Sequence, residues 1–216
     1  MKTIYLFSGL GADYRVFSNL DLSGFQPVHI EWLKPRASES LESYLFRLAE
    51  YHQIPKQGAL VLGVSFGGLC ISELAKYYDF EKMILVSSVK NKFEIPAFIK
   101  LARLFSLYKL MPRKPSGMMA RKAIHWAFGV KTKEEGALLD VIIQDTAPDF
   151  LKWATNQIMH WESVYSPTNC LHIHGEKDRI FPINNVVWDI KIKDGGHFMI
   201  YNRGKEISFP IRNFIF

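Results

Sequence analysis

The sequence predicts an α/β fold: a mainly parallel sheet of about six strands, with helices on both faces. Short apolar runs of strand length alternate along the chain with segments of helical period, which is typical of such sheets. The chain has 216 residues, of which 48% are hydrophobic, enough for one domain with an insertion. No run approaches the roughly 18 apolar residues of a membrane-spanning helix, so we expect no stable membrane insertion.

The apolar runs place the strands, and apolar residues three and four positions apart place the helices. The predicted strands are 4–7, 28–32, 59–63, 83–86, 170–173 and 186–192. A short helix is predicted at 14–19, and helical stripes occur at 41–48 and 71–78. A closing helix begins near Asn202, and Pro210 must kink or end it.

About eighty residues between the fourth and fifth strands carry no strand signal, more than a connection needs. Their spacing predicts four helices, the last capped by Thr146 with Pro148 in its first turn. The apolar positions are Phe98, Leu101, Ala102, Phe105 and Tyr108; Ala120, Ile124 and Ala127; Leu138, Leu139, Ile142 and Ile143; and Phe150, Trp153, Ala154 and Trp161. We expect one domain overall, with a core of 1–89 and 162–216 and a helical lid of 90–161.

The N-terminal apolar run and the two cysteines indicate the compartment in which we expect the protein. The N-terminal apolar run spans about five residues, below the roughly 7–15 of a signal peptide, so we interpret it as a strand and expect a cytoplasmic protein. Cys70 and Cys170 lie in apolar runs, as reduced intracellular thiols do, and a disulfide between them stays open.

The net charge of +6 is concentrated in one segment, 90–133, which carries +10 while the rest of the chain carries −4. Glu94 alone opposes its basic residues, which are Lys90, Lys92, Lys100, Arg103, Lys109, Arg113, Lys114, Arg121, Lys122, Lys131 and Lys133.

Three interpretations of this basic segment stay open. A solvated helical face is favoured. The second is attraction of an anionic substrate, or of an anionic membrane surface, by Lys100, Arg103, Lys109, Arg113 or Lys114. Nucleic-acid binding is the weakest, because the aromatic residues lie on buried stripes instead of exposed stacking positions, so we expect no nucleic-acid partner.

Gly63-Val64-Ser65-Phe66-Gly67-Gly68 follows the third strand and precedes a helix. A G-x-S-x-G turn at such a junction raises a strained serine above the sheet, and its glycines let strand and helix cross closely. The free N–H groups at the helix start face a developing oxyanion. The spacing alone is weak evidence, but its strand–helix context makes Ser65 a strong candidate nucleophile.

A serine nucleophile needs a base and an acid that orients the base. Asp178 follows the fifth strand and His197 follows the sixth. Loops at the carboxyl ends of parallel strands meet at one edge of the sheet, where Ser65 also lies. The chain order Ser, Asp, His predicts a catalytic triad of these three residues.

With these motifs in this order, the chain resembles a small α/β-hydrolase of the esterase-like branch, with a helical lid. The resemblance spans residues 2–216, and in the family's terms the chain begins at the third strand. It implies that Ser65 is the nucleophile, His197 the base and then acid, and Asp178 the residue that orients the imidazole. It also implies an oxyanion hole formed by the backbone N–H groups of Leu10 and Phe66.

The sequence departs from the resemblance at Ser8, where relatives usually carry a histidine before Gly9. The backbone donor of the loop is retained, but the anchoring of the loop must differ. Asp189 and Asp194 are rival acids, the first within the sixth strand and the second too close in sequence to His197.

His172 and His174 alternate on one strand face, and without a third ligand we interpret them as hydrogen-bonded packing residues instead of metal ligands. Cys70 is interpreted as a packing residue.

The resulting hypothesis is a serine hydrolase that cleaves a small-molecule carboxylic ester through an acyl-enzyme, without metal or organic cofactor. A serine instead of an aspartate at position 65 argues against chemistry through an alkyl-enzyme, which needs a carboxylate nucleophile. Thioester cleavage, carbon–carbon hydrolysis or lyase chemistry with the same triad, and a non-catalytic binding relative remain alternatives. Neither substrate identity nor oligomeric state follows from the sequence.

Overall fold

The computed structural model describes residues 1–104 and 117–216, apart from the side chains of 102–104. Several predicted positions of the insert lie outside the described residues or side chains: Ala102, Arg103, Phe105, Tyr108, Lys109, Arg113 and Lys114.

The strands form one sheet in which all neighbouring pairs are parallel, which confirms the α/β fold class. They are β1 (Lys2–Phe7), β2 (Phe25–His29), β3 (Leu60–Val64), β4 (Lys82–Val86), β5 (Cys170–Gly175) and β6 (Ile190–Ile192). The order across the sheet is β2-β1-β3-β4-β5-β6. The strands β1, β3, β4 and β5 are therefore interior, and their carboxyl ends share the edge at which the site is built.

The two edge strands differ from the sequence prediction. β2 begins three residues earlier than expected and includes Pro27, which an edge strand tolerates because its missing N–H need not join a ladder. β6 is shorter than the predicted 186–192, and Asp189 precedes it instead of lying within it. Val187 instead donates its N–H to Oε1 of Glu94 at 2.9 Å, and only Asp189 donates to β5, at the carbonyl oxygen of His172, so the regular ladder begins at Ile190.

Helices cover both faces of the sheet. They are α1 (Leu41–Tyr51), α2 (Phe66–Leu74), α3 (Ala97–Leu104), α4 (Met118–Phe128), α5 (Lys133–Asp145), α6 (Pro148–Met159), α7 (Met199–Asn202) and α8 (Gly204–Ile215), with a short 3₁₀ turn at Tyr14–Phe17. Helices α3 to α6 lie between β4 and β5, as predicted, and α8 continues through Pro210 without ending there. Over residues 1–104 and 117–216, no helix has both the length and the apolar character needed to cross a bilayer.

The predicted cap of the fourth insert helix is wrong. Thr146 is the C-cap of α5, and Ala147 precedes α6, whose first turn does contain Pro148. The Thr146 hydroxyl lies 2.9 Å from the carbonyl oxygens of Gly11 and Ile142. It therefore binds the insert to the loop after β1 instead of starting a helix.

Two buried apolar clusters lie on opposite faces of the sheet, as the alternation of side chains along a strand requires. Val61 belongs to the cluster beneath α1 and α2, whereas Leu60 and Leu62 belong to the one beneath α8. The insert contributes to both, through Phe150 of α6 and Ile142 of α5. The insert therefore packs into the same two cores as the sheet.

Candidate active site

Ser65 lies at the turn between β3 and α2 with φ +54° and ψ −118°, a conformation that a residue with a side chain rarely adopts. Its N–H donates to the carbonyl oxygen of Val86 at 3.0 Å, and its carbonyl oxygen accepts from Ser88 Oγ at 2.6 Å. The strained turn is therefore held by the end of the neighbouring strand β4. This is the geometry that the G-x-S-x-G spacing predicts.

Glycine is required at positions 63 and 67 because backbone atoms of neighbouring residues lie where a Cβ atom would be. A Cβ on Gly63 would lie 2.6 Å from the carbonyl oxygen of Gly67 and from Cα of Gly68. A Cβ on Gly67 would collide with the carbonyl oxygens of Phe7 and Ser8. Backbone atoms cannot move aside as side chains can, so any larger residue at either position would disrupt the crossing of strand and helix.

The structure brings Ser65, His197 and Asp178 together. His197 Nε2 lies 2.8 Å from Ser65 Oγ, and His197 Nδ1 lies 2.8 Å from Asp178 Oδ2. A carboxylate only accepts, so the hydrogen-bond network assigns the proton to Nδ1 and leaves Nε2 free to accept from the serine hydroxyl. The imidazole of His197 is thereby oriented and in the tautomer that can accept a proton from Ser65.

Asp178 is a buried carboxylate, 4% exposed, whose charge is compensated by its neighbours. Its Oδ1 accepts from the N–H groups of Ile180 and Phe181, both at 2.9 Å, while Oδ2 faces His197. Burial on its own would raise the pKa of Asp178, but the interactions with His197, His174 and the Phe181 N–H together hold this pKa below its ordinary value. Asp178 is therefore ionised at neutral pH.

His197 is enclosed by aromatic rings and is 3% exposed. The rings of Phe128 and Phe181 meet its imidazole edge-on, at centroid distances of 5.3 and 5.7 Å. Phe128 belongs to the insert, and its carbonyl oxygen accepts from the N–H of Phe198 at 2.9 Å. The end of α4 is thus bound directly to the loop that carries the histidine.

The two predicted oxyanion donors lie on either side of Ser65. Phe66 is the first residue of α2, and Leu10 lies in the loop after β1, whose residue Gly9 approaches the serine so closely that a Cβ there would be 3.4 Å from Ser65 Cβ. Within the described part of the chain, neither the Leu10 nor the Phe66 N–H has a backbone or side-chain acceptor. Both N–H groups are therefore without a partner among the described residues.

Ser8 anchors the loop of Leu10 through hydrogen bonds on both sides. It is 1% exposed, accepts from Trp32 Nε1 at 3.0 Å and donates to the carbonyl oxygen of Ala12 at 2.7 Å. The Trp32 ring also packs on the ring of Phe66, with centroids 5.4 Å apart. Trp32 therefore contacts both sides of the candidate oxyanion hole, a role that no pattern in the sequence reveals because the three residues are far apart in the chain.

The rival acids are bound elsewhere. Asp189 Oδ2 accepts from the N–H of His172 at 2.7 Å, and Asp194 forms an ion pair with Lys177.

The thiols of Cys70 and Cys170 are free, and burial raises the pKa of both. In the part of the chain that the structure describes, no group of three or more His, Cys, Asp or Glu side chains could hold a metal ion.

Comparison with known proteins places the fold. No family model matches the sequence, and the comparison with curated proteins finds no match. An esterase from Exiguobacterium antarcticum superposes with a TM-score of 0.78 at 14% identity, covering 100% of this chain and 92% of that one. A thermophilic esterase from Thermogutta terrifontis gives 0.77 at 14% identity, with 100% and 89% covered. A meta-cleavage product hydrolase from Pseudomonas fluorescens gives 0.71 at 15% identity, with 100% and 90% covered.

These similarities, together with the six-stranded parallel sheet and its flanking helices, identify the α/β-hydrolase fold. At such low identity the superpositions establish the fold alone. The chemistry must be argued from this chain's own residues.

Proposed function

We propose that this protein is a serine hydrolase that cleaves a small-molecule carboxylic ester. The observation that carries the proposal is the unbroken line of hydrogen bonds from Ser65 Oγ through His197 to Asp178, each 2.8 Å long. The strained turn at Ser65 supports it, because backbone strain of this kind persists where function requires it. The esterases among the solved structures of the same fold agree with it.

The reaction proceeds in two halves. Ser65 Oγ attacks the carbonyl carbon as its proton passes to His197 Nε2, and the imidazolium formed is stabilised by the Asp178 carboxylate. The tetrahedral intermediate collapses, and the alcohol leaves with the proton from His197, so that the acyl group remains on Ser65. Water then gives up a proton to His197 and attacks the acyl carbon, which releases the acid and restores the serine.

The oxyanion that forms in each half accepts from the N–H groups of Leu10 and Phe66. Donors fixed before the reaction stabilise this charge without reorganisation, and removal of one such donor costs about 10²–10³ in kcat in well-studied enzymes. Ser8, Trp32 and Thr146 hold the loop of Leu10 in position, so they act on the reaction through that N–H.

We further propose that the described part of the insert, residues 90–104 and 117–161, covers the site as a lid. The turn after α4 touches the loop of His197, and the junction of α5 and α6 touches the loop of Leu10. A cavity of about 500 Å³ adjoins the Leu10 loop and is lined by both polar and apolar groups, among them Asp13, Trp32, Asp145 and Phe150. We assign it to the part of the substrate remote from the scissile carbonyl, and Phe150→Ala should shift the preferred acyl or alcohol length upward.

The described part of the basic segment, residues 90–104 and 117–133, is better explained as a partly ion-paired surface than as a site for anions. Lys92 pairs with Glu162 at 3.0 Å and Arg121 with Asp140 at 2.7 Å, so part of its charge is already compensated. Activity should therefore depend equally on salt for carboxylated and for neutral esters. A steeper salt dependence for the carboxylated ester would instead support attraction of an anionic substrate.

The experiment that tests the function is a panel of p-nitrophenyl esters of graded acyl length, with the matching thioesters, assayed with wild-type protein and with Ser65→Ala. Ester turnover that Ser65→Ala abolishes supports the proposal, and faster thioester turnover would move the assignment to a thioesterase. The meta-cleavage product hydrolase of the same fold makes carbon–carbon hydrolysis the second candidate, so a ketone with an activated carbon–carbon bond belongs in the panel. Binding without turnover of any of these would favour the non-catalytic relative.

A further inference from the structure

Two buried histidines lie behind the triad, and the mechanism above does not use either of them. His172 and His174 are both fully buried and lie two positions apart on β5, so their side chains share one face of the sheet. His174 Nδ1 lies 3.2 Å from His172 Nε2. A polar pair with no access to water must satisfy its hydrogen bonds within the protein.

The outer nitrogens of the pair meet backbone carbonyls. His172 Nδ1 lies 2.9 Å from the carbonyl oxygen of Val187, and His174 Nε2 lies 2.7 Å from that of Phe181. His174 Nε2 is also 3.6 Å from Oδ2 of Asp178, the oxygen that faces His197. The pair therefore forms a row of three polar contacts that ends beside the triad acid.

The number of protons on the pair, together with the charge of the nearby Asp178 carboxylate, decides which nitrogen of His174 is the donor. Two neutral imidazoles carry two protons, fewer than the three contacts of this row and a further backbone contact of His172 with Ser88. Burial lowers the pKa of both rings, that of His172 to about 3, so the pair is neutral near pH 7. A bare lone pair on His174 Nε2 would face a carbonyl oxygen at 2.7 Å and a carboxylate at 3.6 Å. The electrostatic cost of that arrangement places a proton on His174 Nε2.

Phe181 is the residue through which this donor acts on the triad. Its carbonyl oxygen accepts from His174, its N–H donates to Oδ1 of Asp178, and its ring packs on the ring of His197. The hydrogen bond from His174 Nε2 to the Phe181 carbonyl oxygen therefore holds the end of the turn formed by residues 178–181. With Oδ1 held inside that turn, Oδ2 is left pointing at His197 Nδ1.

We propose that His174 is a positioning residue of the triad: its Nε2–H, by holding the Phe181 carbonyl, fixes the Asp178 turn in the orientation that aligns His197, while the ring of His172 packs against the ring of His174. The inference rests on the proposed function, since it assigns His174 a part in the alignment of the same three residues. No proton leaves His174 during the reaction. What matters is a donor at the position of Nε2.

The test compares His174→Gln with His174→Leu. Glutamine can offer an amide N–H close to the position of Nε2, whereas leucine fills a similar volume without any donor. For the best ester of the panel, we expect His174→Leu to lower kcat at least about tenfold with KM within about twofold of wild type, the pattern of lost transition-state alignment. We expect His174→Gln to stay within about threefold of wild-type kcat. His52→Leu, which also removes an imidazole bound to a carbonyl oxygen but at the end of α1, is the matched control and should leave kcat unchanged.

Folding of each variant is checked by circular dichroism and thermal unfolding, and His174→Met replaces His174→Leu should the leucine variant not fold. A folded variant without the donor that keeps kcat within twofold of wild type overturns the inference. So do equal losses of kcat in His174→Gln and in the variant without the donor, since a donor at Nε2 would then be irrelevant. Wild-type protein that hydrolyses no compound of the panel and does not react with a fluorophosphonate overturns both the proposed function and this inference, whereas active wild type with an unaffected variant overturns the inference alone.

Discussion

Replacing Ser8 with alanine tests how this chain anchors the loop that carries the Leu10 N–H. The Ser8 hydroxyl sits between two partners, accepting from Trp32 Nε1 at 3.0 Å and donating to the Ala12 carbonyl at 2.7 Å. Alanine fits the same space but leaves both partners without their hydrogen bond, at a side chain that is only 1% exposed. Ser8→Ala should therefore affect both stability and catalysis.

The size of the effect follows from those two bonds. Each partly buried partner left unsatisfied costs about 1–3 kcal/mol, and relaxation and solvation recover part of that, so we expect the free energy of unfolding to fall by about 2–3 kcal/mol. For a chain of this size that corresponds to a fall in Tm of about 5–10 °C. Loosening the Leu10 donor should lower kcat about tenfold, less than the 10²–10³ expected for outright loss of a donor. Urea unfolding at 25 °C and steady-state ester hydrolysis measure the two effects.

Ser18→Ala, the same substitution at an exposed position ten residues further along, is the control and should change neither quantity. The reasoning is refuted if Ser8→Ala unfolds within about 0.5 kcal/mol of wild type and keeps kcat within twofold. A large loss of stability with unchanged kcat would refute only the link between the anchor and the oxyanion hole.

Three further predictions concern Asp178 and the turn at Ser65. Asp178→Asn should lower kcat by about 10³–10⁴ while the protein stays folded, since an amide can present N–H to His197 Nδ1 and favour the wrong tautomer; steady-state hydrolysis measures it. Because the pKa of Asp178 lies below its ordinary value of 3.8, its ionised form stabilises the fold above that pH and the contribution is lost as pH falls through the folded-state pKa. Urea unfolding should thus show a smaller stability difference between wild type and Asp178→Asn near pH 3 than near pH 7. Gly67→Ala should prevent folding or cost more than about 4 kcal/mol, whereas Gly24→Ala, with open space around the new Cβ, should cost about 1–2 kcal/mol for its positive φ; yields of folded protein and urea midpoints decide between them.

The parts of the fold that could be predicted from the sequence are those that depend on neighbours in the chain or on the regular arrangement of adjacent parallel strands. The glycines around Ser65 are required by backbone atoms within a few residues or in the adjacent strand, so their spacing carries the geometry of the turn. The order of strands placed Asp178 and His197 at the same edge because parallel strands end together. The predicted α/β class and the predicted helices between β4 and β5 were also confirmed, because the spacing of apolar residues that predicts strands and helices is a local feature of the chain.

Other features depend on residues distant in the chain, and sequence patterns do not report them. Thr146 is a residue type that often caps a helix, which is why it was predicted to start one. In the fold, however, the carbonyl of Gly11 lies close to the Thr146 hydroxyl, and the hydrogen bond between them joins the insert to the Leu10 loop. The bounds of β2 and β6 shifted because edge strands pair on one side only, so apolar character fixes their ends weakly. The partnership of Ser8 with Trp32 spans 24 residues and could not be read from either one.

Reaction with a fluorophosphonate, followed by intact-mass analysis of the wild-type protein beside Ser65→Ala, tests the central claim most directly. The reagent reports whether Ser65 is an activated nucleophile with its base and oxyanion donors in place, and it requires no knowledge of the substrate. We predict a single stoichiometric adduct on the wild type and none on Ser65→Ala. Folded wild-type protein that acquires no adduct, or an adduct that persists in Ser65→Ala, would contradict the assignment of Ser65, His197 and Asp178 as a working triad.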